Sequence, residues 1–366
     1  MLADGDEARW TSKTEIERRA GRWGCARPAL RWVRPLGAWR VHEPSVALQT
    51  HCRARARIRF SLFAVAALPE WAAVSWTRIA SAVMIPRMAD LARDQNPEGW
   101  SRGAAGYVDQ FENYTRLYVD DALGLLGVID GSRLLDVAAG TGVVALRAVE
   151  LGAVVMAIDF AEGMVRRLEE RFRTSNALPG NDQHRVAQAR VMDGQRLTFS
   201  DDTFDHAISM FGLMFFPDAD AGIAEMARVV RPGGRIAIGS WDLDRYGLIG
   251  AIRSGMNEAL KVTPVRPPLT GARFGSESGV YSALEACRGI ENIEVHRVTY
   301  GWRFADAQDF FRKTPSWSPP MEQAFRALSE EALDRGALAF ERAVAELCDG
   351  NEFMSNSALV GTATVQ

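Results

Sequence analysis

Asp136, Gly140, Gly142, Asp159 and Asp193 are the residues whose types and spacing point to chemistry. The stretch Leu134-Leu135-Asp136-Val137-Ala138-Ala139-Gly140-Thr141-Gly142 passes from apolar residues to an acid and then through two glycines. The helix-like Val143-Val144-Ala145-Leu146-Arg147 follows directly. That order reads as a strand, a tight loop and a helix start. A loop of this kind turns backbone N–H groups toward a nucleotide-like ligand, and its glycines remove side chains that would obstruct close approach. Asp159 ends the apolar run Val154-Val155-Met156-Ala157-Ile158, and Asp193 follows a third run at Arg185–Met192.

The elements that must position these residues alternate along the chain. Tyr107, Phe111, Tyr114 and Leu117 at helical spacing, followed by residues 122–126, predict two helices leading into a first strand at 133–138. A helix over about 141–151 stops at Gly152, and the second strand covers 154–159. The next helix begins near Ala161 and places Met164, Leu168 and Phe172 on one face. Phe204–Met210 reads as a fourth strand, Asp218–Val230 as a helix, and Arg235–Trp241 as a fifth strand. Arg231-Pro232-Gly233-Gly234 is expected to end that helix. Alternation of apolar strands and helices predicts an α/β fold, a doubly wound, mostly parallel sheet. Asp136, Asp159, Asp193 and Met210 then all lie at carboxyl ends of strands, where such sheets bind ligands. Residues 243–366 are less regular, with strands at 293–300 and 358–365 around a largely helical 305–349. The last strand is expected to close the sheet antiparallel, and the helices to cover it.

The loop alone leaves the ligand open. Gly140-x-Gly142-x-x-Ala145 satisfies a dinucleotide fingerprint, with Asp159 near the ribose distance, so an NAD(P)-dependent oxidoreductase is one reading. Asp136 tilts the choice, because a carboxylate beside a pyrophosphate repels it but suits an ammonium. Asp193, followed by Gly194, offers an acceptor for an adenine amino group. Taken together, Leu134–Gly142, Asp159, Met192-Asp193-Gly194, Phe204-Asp205 and Arg231-Pro232-Gly233-Gly234 resemble the class I methyltransferases that use S-adenosylmethionine (SAM). The closest likeness is to the group that includes the ubiquinone/menaquinone C-methyltransferases. It covers 98–242 well and 243–366 in outline, and it does not reach 1–83.

The resemblance implies a Rossmann-like fold and a role for each matching residue. Gly140 and Gly142 would pass under the methionine portion and ribose, with Asp136 at the amino group. Asp159 would accept from both ribose hydroxyls. Phe160 and Met164 would pack on the adenine, whose amino group Asp193 would hold beside Gly194. Ser209 and Met210 would lie near the methionine carboxylate and methyl group. Ala138 stands where many members have glycine, and the extra methyl is expected to be tolerated.

The acceptor side rests on aromatic and apolar residues. Phe211, Met214, Phe215 and Trp241 are candidates for a substrate pocket, because Met210–Pro217 is too apolar for a solvated loop. Such a wall favours a small, lipophilic or aromatic methyl acceptor over protein or nucleic acid. Tyr107 and Tyr114 are the candidates to orient or deprotonate an acceptor hydroxyl. His206 reads as structural within its strand, and His184 as solvated. A non-catalytic SAM-binding module is the remaining alternative.

Bulk properties agree with a soluble enzyme. A net charge of −3 gives no reason to expect nucleic acid as a partner. The four cysteines form no CxxC pair and the five histidines no ligand spacing, so no metal is expected and a cytoplasmic location fits. Charge is nonetheless uneven. Fourteen arginines and Lys13 against seven acids give residues 1–87 a net +8, leaving −11 for the rest. Seven of the ten tryptophans fall within residues 1–100, without regular periodicity. Residues 1–83 therefore read as a poorly patterned extension rather than a domain, preceding a methyltransferase domain over 84–366. The apolar Phe60–Leu68 is too short for a stable membrane span. The oligomeric state is not legible.

Overall fold

The structure, a computed structural model, describes residues 96–174, 187–261 and 272–366. The expectations for residues 1–83 and for His184 lie outside these residues. Three helices come first: α1 (Pro97–Gln110), α2 (Glu112–Arg116) and α3 (Val119–Leu126). Where periodicity predicted two helices, the run is broken at Phe111, whose φ of −122° takes it out of the helix. Next come β1 (Arg133–Val137), α4 (Val143–Glu150), β2 (Val154–Asp159), α5 (Glu162–Thr174), β3 (Ala187–Val191) and β4 (Phe204–Met210). After α6 (Ala219–Val229) and β5 (Val230–Tyr246) the chain forms α7 (Gly247–Leu260), α8 (Glu277–Glu285) and β6 (Ile290–Trp302). Helices α9 (Ala307–Trp317), α10 (Pro319–Arg326) and α11 (Glu330–Cys348) lead to β7 (Met354–Val365).

The seven strands run β3-β2-β1-β4-β5-β7-β6 across one sheet. The pairs from β3 to β5 are parallel, and β7 is antiparallel to both β5 and β6. This is the doubly wound sheet with an antiparallel closing strand that the alternation predicted. Central strands are apolar because both faces are covered. Leu135 and Val137 enter a cluster with Phe204, Ile223 and Met226, while Leu134 joins Leu123, Val144 and Val155. A third cluster, rich in aromatic rings, is built from α2, α7, α9 and α11 with Trp241 and Trp302.

Strand order reverses direction between β1 and β4, which pair with Asp136 opposite Ile208. The carboxyl ends of these two strands form the switch point at which open α/β sheets bind ligands.

The Pro-Gly-Gly segment departs from expectation. It does not precede β5 but lies inside it: Val230 already pairs with Phe204, and the register shifts before His206 pairs with Arg235. Gly233, at φ 77°, absorbs the bulge. Asp205, at the opposite end of β4 from the switch point, is clamped by Arg133 and Arg231. These two guanidiniums hold its carboxyl well below the usual range. Its part in the motif set is therefore to fasten β1, β4 and the bulge of β5 together.

Candidate active site

The turn after β1 holds the first site residues. Ala138 has φ 57°, Gly140 φ 56° and Gly142 φ 94°. Left-handed backbone is free for glycine but strained for alanine. The methyl of Ala138 also sets the size of a neighbour. A Cβ on Gly212 would lie 2.4 Å from Ala138 Cβ, so Gly212 is held to glycine by the alanine. A paired outcome follows. Ala138→Gly is expected to stabilise the fold by ~0.5 kcal/mol, strain relief outweighing the added chain entropy. Gly212→Ala should cost less in that background than alone. Urea denaturation of the two single variants and the double variant checks both; equal costs would show that the methyls do not meet.

Gly140 has open space on the side where a Cβ would stand, whereas a Cβ on Gly142 would strike Leu168. One glycine thus leaves room and the other allows α5 to pack closely. Asp136, 1% exposed, lies beneath the turn. The Ala145 backbone N–H, in the first turn of α4 whose N-cap Gly142 supplies no side chain, favours its charged form. Among the described residues Asp136 Oδ2 has no partner. Burial pushes this carboxyl up to about 7, and the nearby Asp159 adds to the rise.

Asp159 ends β2 and is 7% exposed. Its Oδ2 accepts from the Gly140 N–H and its Oδ1 from the Ala161 N–H, both at 2.9 Å. Each oxygen keeps a second lone pair. Burial raises this carboxyl to about 6 despite these bonds. Phe160, 36% exposed, stands beside it with an open ring. Met164 is placed differently: it is 3% exposed and packs with Ala104 and Ala161 against Trp100 and Tyr107.

Asp193 is exposed, and its Oδ1 accepts from the Gln195 backbone and side chain at 2.9 and 3.0 Å. It therefore forms the turn after β3, with its other oxygen outside those bonds. Gly194 is buried, and a Cβ there would strike Phe216 and Val137. On β4, Ser209 is fully buried close to Gly212, and its Oγ has no partner among the described residues. Met210 lies over Gly239, where a Cβ would collide with its sulfur.

The aromatic candidates come together. Phe211, at φ 61°, stacks on Trp241 at 3.9 Å between ring centroids and 16° between planes. Left-handed backbone in a bulky residue is uncommon and costs energy that the surroundings must supply. Tyr114 stacks on the same indole at 5.1 Å. Met214 packs beside this group, and Phe215 tilts against Trp100 at 5.4 Å. Phe111, Trp317 and Trp302 extend the aromatic wall.

Neither tyrosine is arranged as a general base. Tyr107 lies 3.4 Å from Thr115 Oγ1, and burial raises its hydroxyl to about 12, so it stays protonated near neutrality. Tyr114 is 1% exposed, and its ring is built into the aromatic cluster. Both suit packing and orientation. His206 is held within β4, and burial lowers its affinity for a proton. Among the described residues, no group of three His, Cys, Asp or Glu side chains could hold a metal.

One constellation had no signal in local patterning. Glu112, 4% exposed, receives hydrogen bonds from Thr141 in the glycine loop and from Arg171 on α5. Its position amid Phe111 and Tyr114 was the available hint, since a carboxylate buried among aromatic rings requires partners.

Comparison with known proteins gives this geometry its family. Residues 135–238 match a family model described as a methyltransferase domain. An uncharacterized protein of Mycobacterium tuberculosis is 31% identical over 222 residues, 57% of this chain and 71% of that protein. This chain belongs to the class I SAM-dependent methyltransferases. A demethylmenaquinone methyltransferase of Corynebacterium kroppenstedtii is 39% identical to the present methyltransferase over 108 residues, 30% of this chain and 41% of the relative. The solved [4+2]-cyclase SpnF shares 20% identity over 68% of this chain and 81% of its own, at a TM-score of 0.42. That overlap is too loose to carry an argument.

The methyltransferase's own residues fit the cofactor. An amino acid ammonium answers the unpartnered Asp136 Oδ2, and a carboxylate can accept from the unpartnered Ser209 Oγ. The open face of Gly140 leaves room for the chain between them. The oxidoreductase and non-catalytic readings fall with the family.

Proposed function

We propose that the enzyme methylates a small, lipophilic or aromatic molecule at an O, N or C atom, by in-line displacement. The observation that carries this reading is the Phe211–Trp241 stack, in which Phe211 directly follows β4, Trp241 lies within β5, and Tyr114 stacks on the same indole. Bound SAM supplies an electrophilic methyl group on a sulfonium. The chain's task is to orient the acceptor, exclude water and avoid any competing nucleophile. Asp136 would take the ammonium, Asp159 the ribose hydroxyls, Asp193 the adenine amino group and Phe160 the adenine face. Ser209 and Met210 would line the methionine end. Met164, packed with Ala161, would back the adenine site.

Among the described residues no helix is long and apolar enough to cross a membrane. The methyl acceptor is read from the lining: a wall of aromatic rings favours an apolar or aromatic molecule. Demethylmenaquinone methyltransferase as a relative agrees with a lipophilic acceptor. Among the described residues no base is poised beside the aromatic wall, which favours an acceptor that is already nucleophilic, such as an amine or an activated carbon.

Thermal shift with SAM, S-adenosylhomocysteine, NAD and NADP checks the cofactor, and only the first two are expected to raise the melting temperature. Incubation with SAM and a panel of neutral quinols, phenols and amines, against charged peptides and oligonucleotides, should give a mass increase of one methyl in the neutral set. Methylation of only the charged set would sink the reading.

A further inference from the structure

We propose that Glu112 is a positioning residue for the cofactor loop, acting through Thr141 and Arg171 to hold the loop in the shape that binds SAM. This rests on the reading that residues 140–142 carry the methionine and ribose portions of the cofactor.

The loop needs an external support. Gly140 and Gly142 both have positive φ, and Thr141 is the peptide between them. Glycine on each side gives the segment wide conformational freedom, which binding would have to remove. Local bonds hold its ends: Gly140 N–H to Asp159, and Gly142 N–H to the Ala139 carbonyl. Thr141 itself is held from two other elements. Its hydroxyl donates to Glu112 Oε2 at 2.5 Å, and its carbonyl accepts from Arg171 Nη1 at 2.8 Å.

Glu112 and Arg171 also hold one another. Arg171 Nη1 donates to Oε2 at 2.6 Å and Nη2 to Oε1 at 2.8 Å, a two-pronged pairing of fixed geometry. Thr141 is thus gripped on both sides by a single ion pair that spans α2 and α5. Glu112 is 4% exposed and Thr141 is fully buried. An apolar residue at position 112 would pack there at lower desolvation cost. The carboxylate instead specifies a geometry, and in the loop it reaches the hydroxyl of the residue between the two glycines. Helix α2 also carries Tyr114 into the aromatic cluster, so the same short element touches the cofactor loop and the acceptor wall.

The test is titration calorimetry with S-adenosylhomocysteine on the full chain and four variants, alongside thermal unfolding. Thr141→Val removes the hydroxyl at nearly constant shape, and is expected to weaken binding about tenfold. Thr141→Ser restores the hydroxyl and should return affinity to within about threefold of the parent. Glu112→Gln should weaken binding about tenfold as well, since it releases Arg171 from the two-pronged grip. Asp159→Asn reports on the site itself. If it loses binding while Thr141→Val and Glu112→Gln bind like the parent, the positioning role is wrong and the site stands. If Asp159→Asn binds unchanged, the site reading falls and this proposal with it. Affinity that merely tracks melting temperature, with Ser no better than Val, overturns the role in favour of plain packing.

Discussion

Asp136→Asn is expected to stabilise the cofactor-free enzyme at pH 8 by about 1–2 kcal/mol while weakening SAM binding at least fiftyfold. The argument runs through the proton on this carboxyl. In the unfolded chain it titrates near 3.8, and in the fold burial raises it to about 7. Between those values the native state keeps a proton that the unfolded state has released. Stability therefore falls as pH rises from about 4 to 7 and stays low above it. At pH 8 the buried, ionised carboxylate costs the fold on the order of 4 kcal/mol. Asparagine avoids that charge and keeps a carbonyl oxygen, but leaves an amide donor unpaired at a cost of about 1–3 kcal/mol. At pH 5, where the parent carboxyl is protonated, the advantage should vanish. Binding moves the other way, because an ammonium needs the ionised form. SAM affinity of the parent should rise between pH 6 and 8 as Asp136 gives up its proton. Urea denaturation at pH 5 and pH 8, with calorimetric titration at both, reads all of this. An asparagine variant that is less stable at pH 8 and binds SAM normally would mean that Asp136 only caps α4.

Asp159→Ala should be the most damaging single change at the site. It removes the acceptor for the Gly140 and Ala161 N–H groups together, and with it the bridge from β2 to the glycine turn. A buried and a half-buried donor left unpaired cost on the order of 2–4 kcal/mol, and the melting temperature should drop accordingly. Cofactor affinity should fall a hundredfold or more, since both the ribose acceptor and the shape of the loop are lost. Asp159→Asn keeps one carbonyl for the backbone and should recover much of the stability but little of the affinity. Comparing melting temperature and affinity across the pair separates the two contributions; full recovery of binding in the asparagine variant would show that Asp159 serves only the turn.

The parallel half of the fold was legible because its strands are buried on both faces. Val154–Asp159 is an apolar run of strand length and Phe204–Met210 carries Phe204, Ala207, Ile208 and Met210, and the structure places β2 and β4 over those residues. The start of β5 was misjudged because Pro232, Gly233 and Gly234 ordinarily end elements, whereas here a bulge carries them within the ladder. Helices α7 and α8 were not foreseen. Their glycines, Gly250 and Gly255 in α7 and Gly279 in α8, dilute the periodic signal. Yet Gly255 is where α7 meets Phe311 and Gly336 without room for a side chain. At the site, carboxylates at strand ends were readable because position in the alternation places them. The Glu112–Thr141–Arg171 grip was not, since its members are 29 and 59 residues apart and meet only through packing.

The insertion of β7 between β5 and β6 bears on how the chain is made. On a ribosome β5 and β6 emerge before the strand that joins them, and β6 pairs with no other strand of the sheet. Until β7 arrives, both present unpaired backbone edges of the kind that recruits other chains. The parallel half can form before β7 is made, but the antiparallel half must wait until β7 has emerged. Nascent chains stalled before Met354 are thus the species on which a chaperone would act.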